Sequence, residues 1–308
     1  MKPASTTPDL SAHRRGLLFV FVAGVLWSTI GLFVRMVEDA SAWQILLYRS
    51  ASLTVLLFFV LLIRTRRNPF AQVRQVGWPG VIGGLALVGA YAGGIYSIQH
   101  TTVANAMLLF ATAPFMAALL GWAVLREPVR LATGLAVFVA VLGIWVMFRD
   151  QSGALVPKAS FAALASALCY AIFTVALRWG RSGDMLPAVF LSGIFAIVIM
   201  GAVCLLLGLP LVLSPQDTGA AMGMGVFQVG IGLIFYTLGS RSLPAAELTL
   251  LSLSEVLLAP LWVWLVLGET VARNTLLGGA ILLLAIVFNA LTRARAKARE
   301  KRRETARA

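Results

Sequence analysis

Residues 106–129 read AMLLFATAPFMAALLGWAVLREPV, and residues 242–271 read SLPAAELTLLSLSEVLLAPLWVWLVLGETV. Each is a long apolar run that carries a proline, Pro114 or Pro260, and closes on an acid, Glu127 or Glu269. Setting Glu127 over Glu269, an offset of 142, places VLREPV on VLGETV and Ala104 on Ala246. Nearer the front, an offset of 143 places Trp27 on Tyr170 and Arg35 on Arg178. Residues of roughly 12–148 and 155–291 therefore read as two copies of one unit.

Composition says where such runs live. The chain has 308 residues, of which 60% are apolar and 12% charged, and its mean hydropathy is +0.91. An ordinary soluble domain carries about 25% charged residues. So thin a polar coat cannot cover this much apolar surface, so most of that surface faces lipid or other helices. The net charge of +13 does not point to nucleic acid. Lys and Arg sit at the ends and between apolar runs, not along one face. Cys169 and Cys204 fall inside apolar runs, and His13 and His100 are far apart, so neither a disulfide framework nor a metal site is indicated. No nucleotide-binding loop, no metal-ligand constellation and no repeated polar filter is present, which argues against a pump, an enzyme and a channel. No cofactor is expected.

About 20 apolar residues cross a bilayer as a helix. Ten runs qualify, at 17–35, 42–63, 77–97, 102–125, 131–148, 160–178, 187–208, 219–238, 245–267 and 275–291. The expected fold is all-α and polytopic. A tail at 1–16 precedes a five-helix unit at 17–148, and a linker at 149–159 leads to a second unit at 160–291. A basic tail at 292–308 follows, able to continue the last helix into water and to meet anionic lipid, or simply to anchor topology. Five is odd, so the second unit enters the membrane from the opposite side, the inverted arrangement of many secondary transporters. Twenty Lys and Arg residues fall on the side of the N-terminus and four on the other, which places both termini in the cytoplasm. Arg14 and Arg15 before the first run give it the look of a signal peptide, but no convincing cleavage site follows, so it reads as an uncleaved span.

These features, with Ala23–Trp27, Tyr48-Arg49, Thr102–Glu127 and Ala246–Glu269, resemble the drug/metabolite transporter superfamily in its ten-helix EamA-type branch. The resemblance covers nearly the whole chain. Two departures stand out: Tyr170 where the second half commonly has tryptophan, and Val256 where proline often follows the acid. The resemblance implies a secondary transporter of the bacterial inner membrane, working as a monomer by alternating access. It implies export of small metabolites, most closely aromatic and other neutral amino acids. Export of cationic drugs or purines is the alternative within the fold, and a non-transporting scaffold or receptor the alternative outside it.

The first, third, fourth, sixth, eighth and ninth spans are the candidates to line a cavity. Asn105 and Gln228 can donate and accept hydrogen bonds to an amino or carboxylate group. Trp27, Tyr91, Tyr96, Tyr170 and Tyr236 are candidates for an aromatic wall, or for structural packing. Arg49 is placed to meet a substrate carboxylate, or to pair with Glu255 or a backbone carbonyl. Glu255, mid-span, is a candidate for proton coupling, because an acid out of water is costly to ionise. Facilitated export without protons stays open. Gly80, Gly84, Gly89, Gly93, Gly219 and Gly223 are candidates for close helix packing or gating, and Pro114 and Pro260 for bends. Glu127 and Glu269 read as hairpin markers that begin the next helix or pair locally.

Overall fold

The computed structural model describes residues 10–66, 68–126, 130–149, 156–180, 185–240, 242–243 and 245–305. Among them all regular structure is helical. Nine stretches are long and apolar enough to cross a bilayer: His13–Met36, Ala42–Thr65, Pro69–His100, Val103–Leu125, Leu131–Phe148, Pro157–Trp179, Leu186–Leu206, Pro215–Ser240 and Arg273–Thr292. A further helix, Ala245–Leu267, has 23 residues, with a shorter described apolar part, Leu253–Leu267. Together they make ten spans, numbered here in chain order. The chain is an all-α polytopic membrane protein.

Several boundaries differ from the expected ones, each for a local reason. The first helix begins at Leu10, inside the stretch expected as a tail, and breaks at Thr29 into Leu10–Ser28 and Ile30–Met36. The third span starts early, at Pro69, because Asn68 accepts a hydrogen bond from the Phe70 amide as an N-cap. Gly77 then turns the chain with φ 62° and ψ −160°, a conformation open to glycine alone, two residues before Pro79. Pro114 does not bend a continuous helix. The fourth span is two helices, Val103–Phe110 and Ala113–Leu125, and Pro114 lies in the first turn of the second, where its missing N–H costs nothing. Pro260 lies inside a helix that runs unbroken from Ala245 to Leu267. The eighth span contains a π-helical segment, Met224–Ile231, between Pro215–Gly223 and Gly232–Ser240. The last helix runs in one piece from Arg273 to Thr305, carrying the basic segment beyond the span. Glu127 and Pro128, and residues 150–155 of the expected linker, lie outside the described residues.

The spans pair in matched sets. The third packs on the sixth and the eighth on the first; the fourth packs on the sixth and the ninth on the first; the third packs on the seventh and the eighth on the second. The fifth meets the tenth and the second meets the seventh, pairs that are their own images when five is added to each number. Glycines set several of these approaches. Gly84 faces Phe195 of the seventh span, while Gly89 and Gly93 face Cys169 and the Ala162 carbonyl of the sixth. Gly223 faces Phe33, whereas a Cβ on Gly80 would meet only its own helix at Val76, and Gly219 has open space. The fifth and tenth spans turn large apolar side chains outward, among them Phe138, Trp145, Leu284 and Phe288, as a lipid-facing surface requires. Between these two spans Thr133 Oγ1 donates to Asn289 Oδ1 at 2.9 Å.

Gly143 and Gly278 meet backbone to backbone at the same crossing. A Cβ on Gly143 would stand 2.7 Å from the Gly278 carbonyl oxygen, and one on Gly278 would overlap the Gly143 carbonyl. A backbone cannot yield as a side-chain tip does. Gly278→Val is expected to cost about 1–3 kcal/mol, the usual cost of overpacking, and to lower the melting temperature in detergent. Gly134→Ala, at a site with open space, serves as the neutral control. Equal melting temperatures for the two variants would disprove a tight crossing.

Candidate functional site

The helix breaks open a space on the bundle axis. A cavity of about 160 Å³ is lined from eight of the ten spans. At about 10–15 Å³ per water-sized sphere, it holds a solute of on the order of ten non-hydrogen atoms. Its wall is mostly apolar, with Trp27, Tyr91, Tyr170, Phe110 and Phe173 supplying rings. The cavity begins at Ile98 and Ala106, on either side of the turn between the third and fourth spans, and extends to Met185 and Val189 at the start of the seventh.

Two charged residues stand in this apolar wall, Arg49 from the second span and Glu255 from the ninth. Arg49 is 2% exposed. Its guanidinium carbon lies 4.0 Å from the centroid of the Tyr91 ring, a cation–π contact that offsets part of the lost hydration. Arg49 does not pair with Glu255. Among the described residues the ion pairs are His13–Glu247 and Arg35–Glu269. Arg49 Nε is buried with no hydrogen-bond partner, and so is Gln228 Oε1. Gln228 Nε2 donates to the Trp27 carbonyl at 3.2 Å, which fixes the side chain. The lining thus brings a cationic, an amide and an acidic side chain together in one greasy, ring-lined space.

Gln228 and Val229 reach the wall from within the π-helical segment. Its extra residue per turn shifts side chains around the axis, and Gly225 lets the segment press on the second span. A Cβ at Gly225 would overlap the Arg49 carbonyl and Ser52 Oγ. Ser52 Oγ also donates to the Met222 carbonyl at 2.9 Å, tying the two spans together.

The other expected site residues lie elsewhere. Tyr236 is not a lining residue but borders one, its ring 5.2 Å from that of Trp27. Tyr96 points away, between Trp43 at 6.3 Å and His100 at 4.2 Å. Asn105 is 3% exposed. It spends its amide on Ser160 Oγ at 2.8 Å and Thr101 Oγ1 at 3.2 Å, so it links the fourth span to the sixth. Sequence reasoning missed Phe110, Ser166, Phe173 and Met185 on the wall. Phe173 lies three residues after Tyr170 on one helix face, a signal that was available. The second and seventh spans also contribute, through Arg49 and Val189.

The Arg49–Tyr91 contact has a direct test. Tyr91→Leu removes the ring and is expected to cost about 1–2 kcal/mol, as for a desolvated cation–π pair. That is a fall of a few degrees in melting temperature for a chain of this size. Tyr91→Phe keeps the ring face and is expected to melt near the parent. If both variants melt alike, the ring face contributes nothing to holding the cation.

Comparison with known proteins places this geometry. The model of the EamA-like transporter family matches twice, over residues 14–149 and 157–291. An uncharacterized transporter of Bacillus subtilis (strain 168), YwfM, is 24% identical over 281 residues, covering 88% of this chain and 92% of its own. An uncharacterized transporter of Archaeoglobus fulgidus is 28% identical over 285 residues, covering 89% and 96%. Solute carrier family 35 member G1 of Mus musculus is 28% identical over 201 residues, but that match spans 60% of this chain and 52% of the carrier. A solved crystal structure superposes on 91% of this chain and 98% of its own with a TM-score of 0.64 at 19% identity, which speaks for the fold alone. Members of the matched family are transporters, and among the described residues no group of three His, Cys, Asp or Glu side chains gathers as a metal site would require. With the family model matched in two copies across nearly the whole chain, the chain belongs to the EamA-like transporter family.

Proposed function

We propose that the chain exports aromatic and other neutral amino acids from the bacterial cytoplasm by alternating access through the axial cavity. The observation that carries this reading is the joint presence of Arg49 and Glu255 in one apolar, ring-lined space. A zwitterion satisfies both: its carboxylate meets the guanidinium, and its ammonium meets Glu255. Rings of Trp27, Tyr91 and Tyr170 then receive an aromatic side chain. A cationic drug would face an unneutralised Arg49, and a neutral purine would leave both charges unanswered. The volume suits a solute the size of an amino acid.

Alternating access has its own support. Five helices per half, with two family matches, imply opposed insertion of the halves. The matched span pairings are what a two-fold relation between the halves would produce. Such halves can pack in two equivalent asymmetric ways, each exposing the cavity to one face. The excess of basic residues on the N-terminal side supports cytoplasmic termini and an inner-membrane location. One chain holds the whole cavity, which supports a functional monomer.

Proteoliposomes loaded with Phe, Tyr, Trp, Thr or Met, with purines and a cationic dye as contrasts, test the reading. Saturable release of the amino acids, with and without a pH gradient, is the expected result. Release of dye or purine alone would keep the family and overturn the substrate. Arg49→Gln is expected to raise KM for amino acids at least about tenfold, since a buried charge-assisted hydrogen bond is worth about 1.5–3 kcal/mol. An unchanged KM would remove Arg49 from the site. If protons couple through Glu255, Glu255→Gln abolishes pH-driven release and leaves only a weakened, pH-insensitive amino-acid exchange; a pH dependence like the parent's would end that role.

A further inference from the structure

Above the cavity, at the end marked by Ile98 and Ala106, the chain turns between the third and fourth spans at Thr101 and Thr102. Two side chains from distant parts of the chain hold this turn. Arg35 closes the first span, in the helix Ile30–Met36. Glu269 follows the ninth, just after Gly268. Arg35 Nε donates to Glu269 Oε2 at 2.9 Å, and Arg35 Nη2 donates to the Thr101 carbonyl at 2.7 Å. Glu269 Oε1 accepts from the Val103 amide at 2.8 Å. That amide is one of the orphan donors of the helix Val103–Phe110, where a carboxylate also meets the positive end of the helix dipole. Glu269, expected to act as a local hairpin marker, thus binds a residue 234 positions away.

The result is a roof. One ion pair ties the first span, the turn between the third and fourth, and the loop after the ninth. The turn it grips lies between Ile98 and Ala106, the lining residues nearest to it in the chain. A second polar cluster beside it differs in kind. Asp217 is 1% exposed and accepts from the backbone amides of Glu38, Asp39 and Ala40, at 2.9, 3.2 and 3.1 Å. Gln99 Nε2 donates to the Ala40 carbonyl from the other side. Three charge-assisted bonds converge on one buried carboxylate and would have to break together, so the loop after the first span is fastened to the start of the eighth. Arg35 and Glu269 are instead 26% and 20% exposed, so water stands ready to replace each bond as it opens. At the opposite end, where the cavity reaches Met185 and Val189, the ion pair described is His13–Glu247, with both side chains more than a third exposed.

We propose that Arg35 and Glu269 are the gate residues of this face: transport requires the pair to part, releasing the 101–103 turn and opening the cavity from the side of Ile98 and Ala106. In this structure the pair is formed, and Ile98, Val103 and Ala106 beneath the turn are buried. The inference rests on the alternating-access reading but not on which solute is carried. Breaking the pair biases the protein toward the state open on this face, since it removes an interaction made only in the closed state.

The test is sided labelling of full-length protein in sealed vesicles of known orientation. A reporter, Ala106→Cys, is placed in a Cys169→Ser, Cys204→Ser background, and a membrane-impermeant maleimide is applied to each face in turn. Glu269→Gln keeps an acceptor for the Val103 amide but removes the charge. It is expected to raise the labelling rate from the gate face about tenfold, within the usual range of coupling between two states. The rate from the opposite face should not rise. Charge reversal, Arg35→Glu with Glu269→Arg, remakes the ion pair but not the bonds to the Thr101 carbonyl and the Val103 amide, and is expected to bring the rate part of the way back. Gate-face labelling at one rate in all variants would overturn the gate while leaving alternating access standing. No labelling from that face in any variant would overturn both. A rise from both faces, with a lowered melting temperature, would mean a loosened bundle and would also overturn the gate.

Discussion

Lipid offers no hydrogen bonds, so any break in a spanning helix must be repaired by the protein itself. This constraint organises the molecule. At Thr29 the first span is interrupted, and the hydroxyls of Ser28 and Thr29 donate to the carbonyls of Val25 and Leu26. At Ala111 and Thr112 the fourth is interrupted, and Thr112 Oγ1 donates to the Leu109 carbonyl. In the eighth the ladder widens into the π-helical segment without losing its bonds. The cavity lies at these repaired places. Trp27 and Ile30 flank the first break, Phe110 precedes the second, and Gln228 and Val229 belong to the widened turn. An unbroken bundle of ideal helices would close such a space by ridge-into-groove packing.

Charge is placed by the same economy. Arg49 is tolerated because a tyrosine face replaces part of its hydration and because its side chain borders the cavity. Arg35 and Glu269 are tolerated because they sit where spans end and carry one another. Asp217 is tolerated because three backbone amides surround it. The polar groups thus divide by surroundings: one buried carboxylate held by three amides, one half-buried ion pair at span ends, and one set lining the cavity. A carrier needs all three, since it must hold together, move and bind.

Depth along a span was legible, and direction around it was not. Trp27, Arg49, Tyr91, Tyr170, Gln228 and Glu255 lie mid-span or nearly so, and all six reach the cavity. Asn105 lies within the same fourth span as Phe110, yet it turns to Ser160 and away from the axis. Tyr96 and Tyr236 have the residue type expected of the wall but face Trp43 and Trp27. A uniformly apolar helix carries almost no periodic signal to say which side is inward. Pro114 was misread for a related reason: a proline in a first helical turn and one mid-helix look alike until the break before it is seen.

By itself the sequence determined the membrane class, the ten spans and the duplication, because hydropathy and self-similarity are sums over many residues and survive local error. It also singled out the rare charged groups, since each is expensive in lipid and therefore conspicuous. Only the tertiary structure decided which groups meet. Arg35 and Glu269 are 234 residues apart, and the bond between them depends on how the ends of three spans converge. The π-helical turn depends on the close approach of Gly225 to the Arg49 backbone. Those are properties of packed surfaces, and a linear pattern does not contain them.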